Sequence, residues 1–125
     1  MEKITYCVEQ LPRVGPYSHA VEAGGFVFAS GVVPVNLAKG LAIKDDVTAA
    51  TELVLENIKL VLANAGTDLS RVVKATVFLR DMADYQAVNE VYARYFPVDP
   101  PARSCVAVKE LPGNYPVEIE VIAWK

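Results

Sequence analysis

Residues 47–79 read VTAATELVLENIKLVLANAGTDLSRVVKATVFL, and the apolar period changes inside this stretch. Val47, Ala50, Val54, Ile58, Val61, Leu62 and Ala65 recur at helical spacing, which predicts a helix from Val47 to Ala65. Asp45 or Asp46 is suited to cap its start, and Gly66 to close its end. Past Gly66 the spacing shortens. VVKATVFL, residues 72–79, is rich in β-branched residues and alternates, so it predicts a strand with Val73, Ala75, Val77 and Leu79 on one face. A long helix feeding a strand apolar on both faces sets the frame into which the flanking segments must fit.

Towards the C-terminus, Asp81 is placed to cap a second helix whose stripe is Tyr85, Val88, Tyr92 and Tyr95 or Phe96, with Pro97 ending it. DPPAR, residues 99–103, is a stiff connector. SCVAVKE and VEIEVIAW alternate and are separated by the turn-forming LPGNY, a pattern that predicts a second hairpin. Towards the N-terminus, SHAVEAGGFVFASG predicts a first hairpin around Gly24-Gly25, a dipeptide that readily takes positive φ. PVNLAKGLAIKDD, residues 34–46, reads as a loop or irregular edge. The order strand, strand, helix, strand, helix, strand, strand predicts an α+β fold, a mixed β-sheet covered on one face by two helices.

A chain of 125 residues, 53% of them hydrophobic, has material for one core and predicts a single domain over residues 1–125. No apolar run approaches the roughly 20 residues that span a bilayer, so no membrane partner is expected. The N-terminal MEKITYCVEQLPR has no secretory pattern, so a cytoplasmic location is expected. Cys7 and Cys105 are then expected as free thiols. The net charge of −3, with scattered basic residues, argues against nucleic acid as a partner.

His19 is the sole histidine, which rules out a multi-histidine metal centre and reads as a surface or hairpin residue. The two cysteines form no C-x-x-C pair, and neither G-x-G-x-x-G nor G-x-x-x-x-G-K-S/T occurs, so neither a metal nor another cofactor is expected. Arg103 and Cys105 share a strand face. Arg103 is either a carboxylate anchor, through its planar fork of donors, or a solvated strand-end arginine. Glu118 and Glu120 share another face, and their register leaves open which of them is functional. The predicted final hairpin would bring arginine, cysteine and glutamate together. GPYSHA presents Tyr17 after a Gly15-Pro16 turn, and Ala29-Ser30-Gly31 offers a hydroxyl beside an unencumbered amide.

In this order, GPYSHA, FASG, NAGTDL (64–69), VVKATVFLRDM (72–82), VNEVY (88–92), PPARSCVAV (100–108), Leu111-Pro112 and VEIEVIA (117–123) resemble the YjgF/RidA family of reactive intermediate deaminases, over essentially the whole chain. The resemblance implies a chorismate-mutase-like fold assembled as a homotrimer, with sites in clefts between subunits. It implies hydrolysis of small 2-imino acids, 2-iminobutanoate and 2-iminopropanoate, to 2-keto acids and ammonia without a cofactor. It also implies that Arg103 holds the substrate carboxylate, aided by the backbone at Cys105. Glu118 would position or activate water, and Tyr17, Ser30, Gly31 and Asn89 would line the pocket. Two departures stand out: His19 occupies a place where the family commonly has glutamine, and SGVVP replaces SGQ-hydrophobic-Pro. The alternative readings are a non-catalytic small-molecule-binding regulator, an RNA-cleaving translation inhibitor and a chaperone-like protein.

Overall fold

In the computed structural model, which describes residues 2–125, the long helix α1 runs over Val47–Asn64. Asp46 caps it by accepting from the Ala49 N–H at 3.0 Å. Gly66, at φ 82°, reverses the chain beyond its end, and the Thr67 N–H returns to the Leu62 carbonyl at 2.9 Å. The expected first hairpin is present as β2 (Ala20–Ala23) and β3 (Phe26–Ala29). Gly24 and Gly25 both take positive φ, 60° and 82°, as a two-residue turn matched to strand twist requires.

The remaining elements are β1 (Ile4–Tyr6), a short β4–β5 pair (Val35–Asn36 and Leu41–Ala42), β6 (Val72–Leu79), α2 (Tyr85–Tyr95), β7 (Ala102–Ala107) and β8 (Val117–Trp124). Six strands form one mixed sheet in the order β1-β2-β3-β8-β6-β7. Both helices lie on one face, where Val54, Ile58, Val61 and Leu62 pack into a shared core with Ala75, Val77, Leu79, Val117, Ile119 and Val121. The α+β layout expected from the sequence is therefore the observed one. Three residues of β1 are too few to display a period, and this edge strand was not expected. The short β4–β5 pair gives regular structure to a segment read as a loop.

Two expectations need correction. β7 and β8 do not form a hairpin: β7 runs parallel to β6, and β8 pairs antiparallel with the other edge of β6. α2 carries the chain over the sheet from β6 to β7, a crossover that makes those two strands parallel neighbours. The connection through Leu111–Asn114 then passes the end of β6, where the Arg80 N–H donates to the Pro116 carbonyl at 3.0 Å. Alternation in SCVAVKE and VEIEVIAW identifies strands but does not choose their partners. The second correction concerns β6, where a register shift between Val72 and Lys74 turns Val72 inward, 6% exposed, and Val73 outward, 41% exposed.

The sheet face opposite the helices stays open. Phe26, Phe28, Val106 and Trp124 lie on it, each 42–45% exposed. Phe26 pairs with Trp124 and Phe28 with Ile122, so the aromatic side chains form one contiguous patch. Among the described residues, no helix is long and apolar enough to cross a membrane.

Candidate active site

A cavity of about 470 Å³ opens between the loop leading into β2, the segment after β3 and the Leu111–Tyr115 turn. Four residues that the resemblance implies for the site, Tyr17, Ser30, Gly31 and Glu118, line it together, and His19 lines it with them. The segment after β3 is held to β8 by a reciprocal bridge: the Val32 N–H donates to Ile119 at 2.8 Å, and the Ile119 N–H donates back at 3.1 Å. This bridge brings Gly31 against Glu118. A Cβ at residue 31 would collide with the Glu118 carboxylate and displace it, so the glycine makes room for that carboxylate and is not there for its φ.

Glu118 is half-buried in this wall. Burial, and secondarily the Glu120 charge, push its carboxyl above the usual carboxylate range. Such a group is a stronger proton acceptor than a surface glutamate. The Ser30 hydroxyl is less free than its sequence suggests: it donates to the Ser18 carbonyl at 2.7 Å, and the Ser30 N–H donates to the His19 carbonyl at 2.9 Å. Its remaining capacity is as an acceptor. The backbone at Tyr17 is turned by its N–H, which donates to the Gly15 carbonyl at 3.0 Å.

His19 is not at the surface but 7% exposed. Its Nδ1 accepts from the Val8 N–H at 2.8 Å, and its Nε2 lies 2.9 Å from the Pro12 carbonyl. The ring satisfies buried backbone groups of the preceding loop, which is why it is internal.

Arg103, Cys105 and Asn89 lie elsewhere. Arg103 is level with Ala75 and Cys105 with Val77, so both point to the helix side, where Ala75 and Val77 are buried. Glu118 is level with Phe78 and Glu120 with Thr76, on the opposite side. With β6 between them, β7 and β8 are also about 9.6 Å apart. Within one protomer the arginine and the glutamate thus sit on opposite faces of the sheet. The expected meeting of arginine, cysteine and glutamate in a final hairpin is corrected accordingly.

The guanidinium of Arg103 lies 4.7 Å from the Tyr92 ring centroid and 5.7 Å from that of Tyr85, and its Nη2 donates to the Tyr85 hydroxyl at 3.2 Å. Tyr85 and Tyr92 are about two turns apart on α2, and helical spacing places Asn89 between them on that face. Arg103 forms no ion pair among the described residues. Cys105 is a free thiol, as is Cys7. Burial pushes the Cys105 thiol up, against a smaller opposing pull from Arg103, which keeps it protonated and a poor nucleophile.

The sequence pattern described as Endoribonuclease L-PSP matches residues 8–125. The chain belongs to this family, the YjgF/RidA family. Among its L-PSP relatives, a RutC family protein of Pyrococcus horikoshii is 43% identical over 125 residues, covering 100% of this chain and 99% of the relative. The Reactive Intermediate Deaminase A, chloroplastic, of Arabidopsis thaliana is 44% identical over 124 residues, covering 98% of this chain and 66% of the relative. The crystal structure of E. coli TdcF with bound serine superposes with a TM-score of 0.91 at 36% identity, covering 98% of each chain.

In this L-PSP chain several cavity walls escaped sequence reading, notably Leu11, Val14, Val33 and Tyr115. They lie in loops, outside any period. Their one signal is large apolar residues beside Gly or Pro. Tyr115 is steadied by Lys44, whose Nζ lies 5.3 Å from its ring centroid. Arg80 secures the adjacent turn by donating to the Asn114 carbonyl at 2.8 Å and to the Lys44 carbonyl at 3.1 Å.

The contact between Gly31 and Glu118 gives a direct test of the glutamate's placement. Gly31→Ala is expected to leave the fold intact, because the atom displaced is the end of a flexible side chain. The variant should still lose activity by about tenfold or more, since an ångström of misplacement is enough for losses of that order. Steady-state kinetics with a thermal melt as control checks this.

Proposed function

We propose that the chain hydrolyses small 2-imino acids, 2-iminobutanoate and 2-iminopropanoate among them, to 2-keto acids and ammonia, without a metal or organic cofactor. The observation that carries this reading is Arg103, held between two tyrosine rings with one hydrogen bond to a side chain and, among the described residues, no acidic partner. A guanidinium offers five N–H donors in a fork that matches a carboxylate. An oriented arginine without a protein counter-ion is suited to a carboxylate ligand. The deaminase name of the Arabidopsis relative and the serine bound to the E. coli relative are consistent with it.

Arg103 pairs with the carboxylate of the substrate, and Asn89 and the Cys105 backbone complete that side. Glu118 faces the imine carbon across the cavity bounded by Tyr17, Ser30 and Gly31. The iminium carbon is already electrophilic. Water attacks it while Glu118 accepts a water proton, giving a carbinolamine. Glu118 returns that proton to the nitrogen, the C–N bond breaks, and the hydroxyl proton passes to the departing ammonia as the C=O bond forms. The balance is one iminium acid and one water to one keto acid and one ammonium ion, with no redox step.

Since Arg103 and Glu118 occupy opposite faces of one sheet, a site that uses both takes them from different subunits. The aromatic patch on the open face is the surface that assembly buries, and the expected particle is a homotrimer. Its solution mass should be about three times the 13.6 kDa protomer; a fully active monomer would exclude a shared site. Among the described residues no three His, Cys, Asp or Glu side chains cluster as metal ligands, so a chelator is expected to leave the rate unchanged. Loss of activity in chelator, restored by one divalent ion, would contradict the mechanism. The function itself is tested by generating 2-iminobutanoate or 2-iminopropanoate in situ and following its disappearance. Acceleration is expected; a folded protein that binds the carboxylate ligand without acceleration would favour the regulator.

A further inference from the structure

We propose that His19 is a positioning residue that fixes one wall of the cavity only while its ring is neutral, so that acid releases the wall at the Val8 contact. The inference rests on the proposed function only where activity is used as a readout.

Val8 offers only an N–H, so the His19 Nδ1 that meets it at 2.8 Å must be the bare, accepting nitrogen. Pro12 offers only a carbonyl, so the Nε2 at 2.9 Å carries the proton. The two partners together assign one neutral tautomer. Through them the ring closes the base of the loop Arg13–Ser18. The contacts inside that loop are the Tyr17 N–H to Gly15 and a 3.5 Å contact from Arg13 Nη1 to the Tyr17 carbonyl. Val14, Gly15 and Tyr17 of this loop line the cavity. Leu11 and Val8 are anchored in the core, and the Leu37 N–H holds the Gln10 carbonyl at 2.7 Å. The far end of the loop is held where the Ser30 hydroxyl donates to the Ser18 carbonyl at 2.7 Å, and Arg13 Nη1 lies 3.5 Å from the Cys7 sulfur; the histidine ring is the tie at its near end, through Val8 and Pro12.

A second proton on the ring would sit on Nδ1. Donation to Pro12 survives, but the lone pair for Val8 is gone and two N–H groups confront each other in a buried place. The ring must turn away, leaving the Val8 donor without a partner and moving the base of the Tyr17 loop. Among the titratable and charged groups, Tyr17 lies 6.3 Å from the ring between centroids and Glu118 lines the same cavity, while Cys7 and Glu9 flank Val8 in the chain and Arg13 follows Pro12. Among the described residues none of them is hydrogen-bonded to the imidazole. Glutamine offers an acceptor and a donor on one side chain and gains no proton in this range, so it isolates the effect.

The experiment follows amide hydrogen exchange at Val8, corrected for intrinsic chemistry, in wild type and His19→Gln between about pH 8 and pH 5. Wild type should lose about tenfold in protection, and His19→Gln less than about twofold. His19→Ala, lacking both contacts, should be unprotected throughout. In parallel, the ratio of kcat/KM at the two pH values should fall further in wild type than in His19→Gln, whose acid limb reports Glu118 alone. Wild-type protection that persists at pH 5, or equal losses in wild type and His19→Gln, would overturn the proposal. The exchange readout decides this even if imine hydrolysis is not the activity.

Discussion

Arg103→Ala is expected to lower kcat/KM for imino-acid hydrolysis by about tenfold to 150-fold while the protein stays folded. The range follows from removing a charge-assisted hydrogen-bonded contact of about 1.5–3 kcal/mol, and lost orientation adds to it. The guanidinium also stacks on Tyr92 and Tyr85, a contribution to stability of about 0.5–1 kcal/mol. A thermal melt should therefore shift by only a few degrees. Arg103→Lys should recover part of the activity, because an ammonium keeps the charge but not the planar fork. A solvated arginine without a role would instead give wild-type rates in both variants.

The larger effect is expected at Glu118. Glu118→Gln keeps the size of the side chain but removes the proton acceptor, and should lower kcat by about 10²–10⁴-fold. Glu120→Gln, exposed on the same strand face, should be mild. The pH dependence has a definite sign. The base must be deprotonated, and burial, then the Glu120 charge, hold Glu118 above the usual carboxylate range, so activity should fall as pH falls through that raised value. Removing the Glu120 charge should move this limb towards lower pH. Stability runs the other way: the folded protein holds the proton more tightly than the unfolded chain, so stability falls as pH rises from the ordinary carboxylate value through the raised one. At neutral pH, Glu118→Gln should therefore melt higher than wild type. A variant both inactive and less stable would point to a structural glutamate.

Much of the fold was legible because its period is strong. α1 and the Gly24-Gly25 hairpin are where the sequence places them, because long periodic segments and paired positive-φ glycines leave few alternatives. β7 and β8 were legible as strands but not as neighbours. Their alternation is identical whether they pair with each other or flank β6, and the crossover by α2 decides between the two. The site was legible in identity more than in geometry: Tyr17, Ser30, Gly31 and Glu118 share one cavity, whereas Arg103 and Cys105 face away from it. His19 was read as superficial because a lone histidine carries no pattern. Its burial comes from backbone groups eleven and seven residues away, a contact no local period encodes.

The central claim is that one active site takes Arg103 from one subunit and Glu118 from its neighbour. It is tested most directly by mixing two inactive variants. Arg103→Ala and Glu118→Gln chains, co-expressed with different tags and purified as mixed oligomers, each supply the residue that the other lacks. In every mixed trimer, whichever variant is in excess, about one of the three shared sites would combine an intact arginine with an intact glutamate. Recovery of about a third of wild-type activity, absent from either variant alone, is the predicted result. Mixed oligomers as inactive as their parents would mean that no site is shared in this way, and would contradict the account.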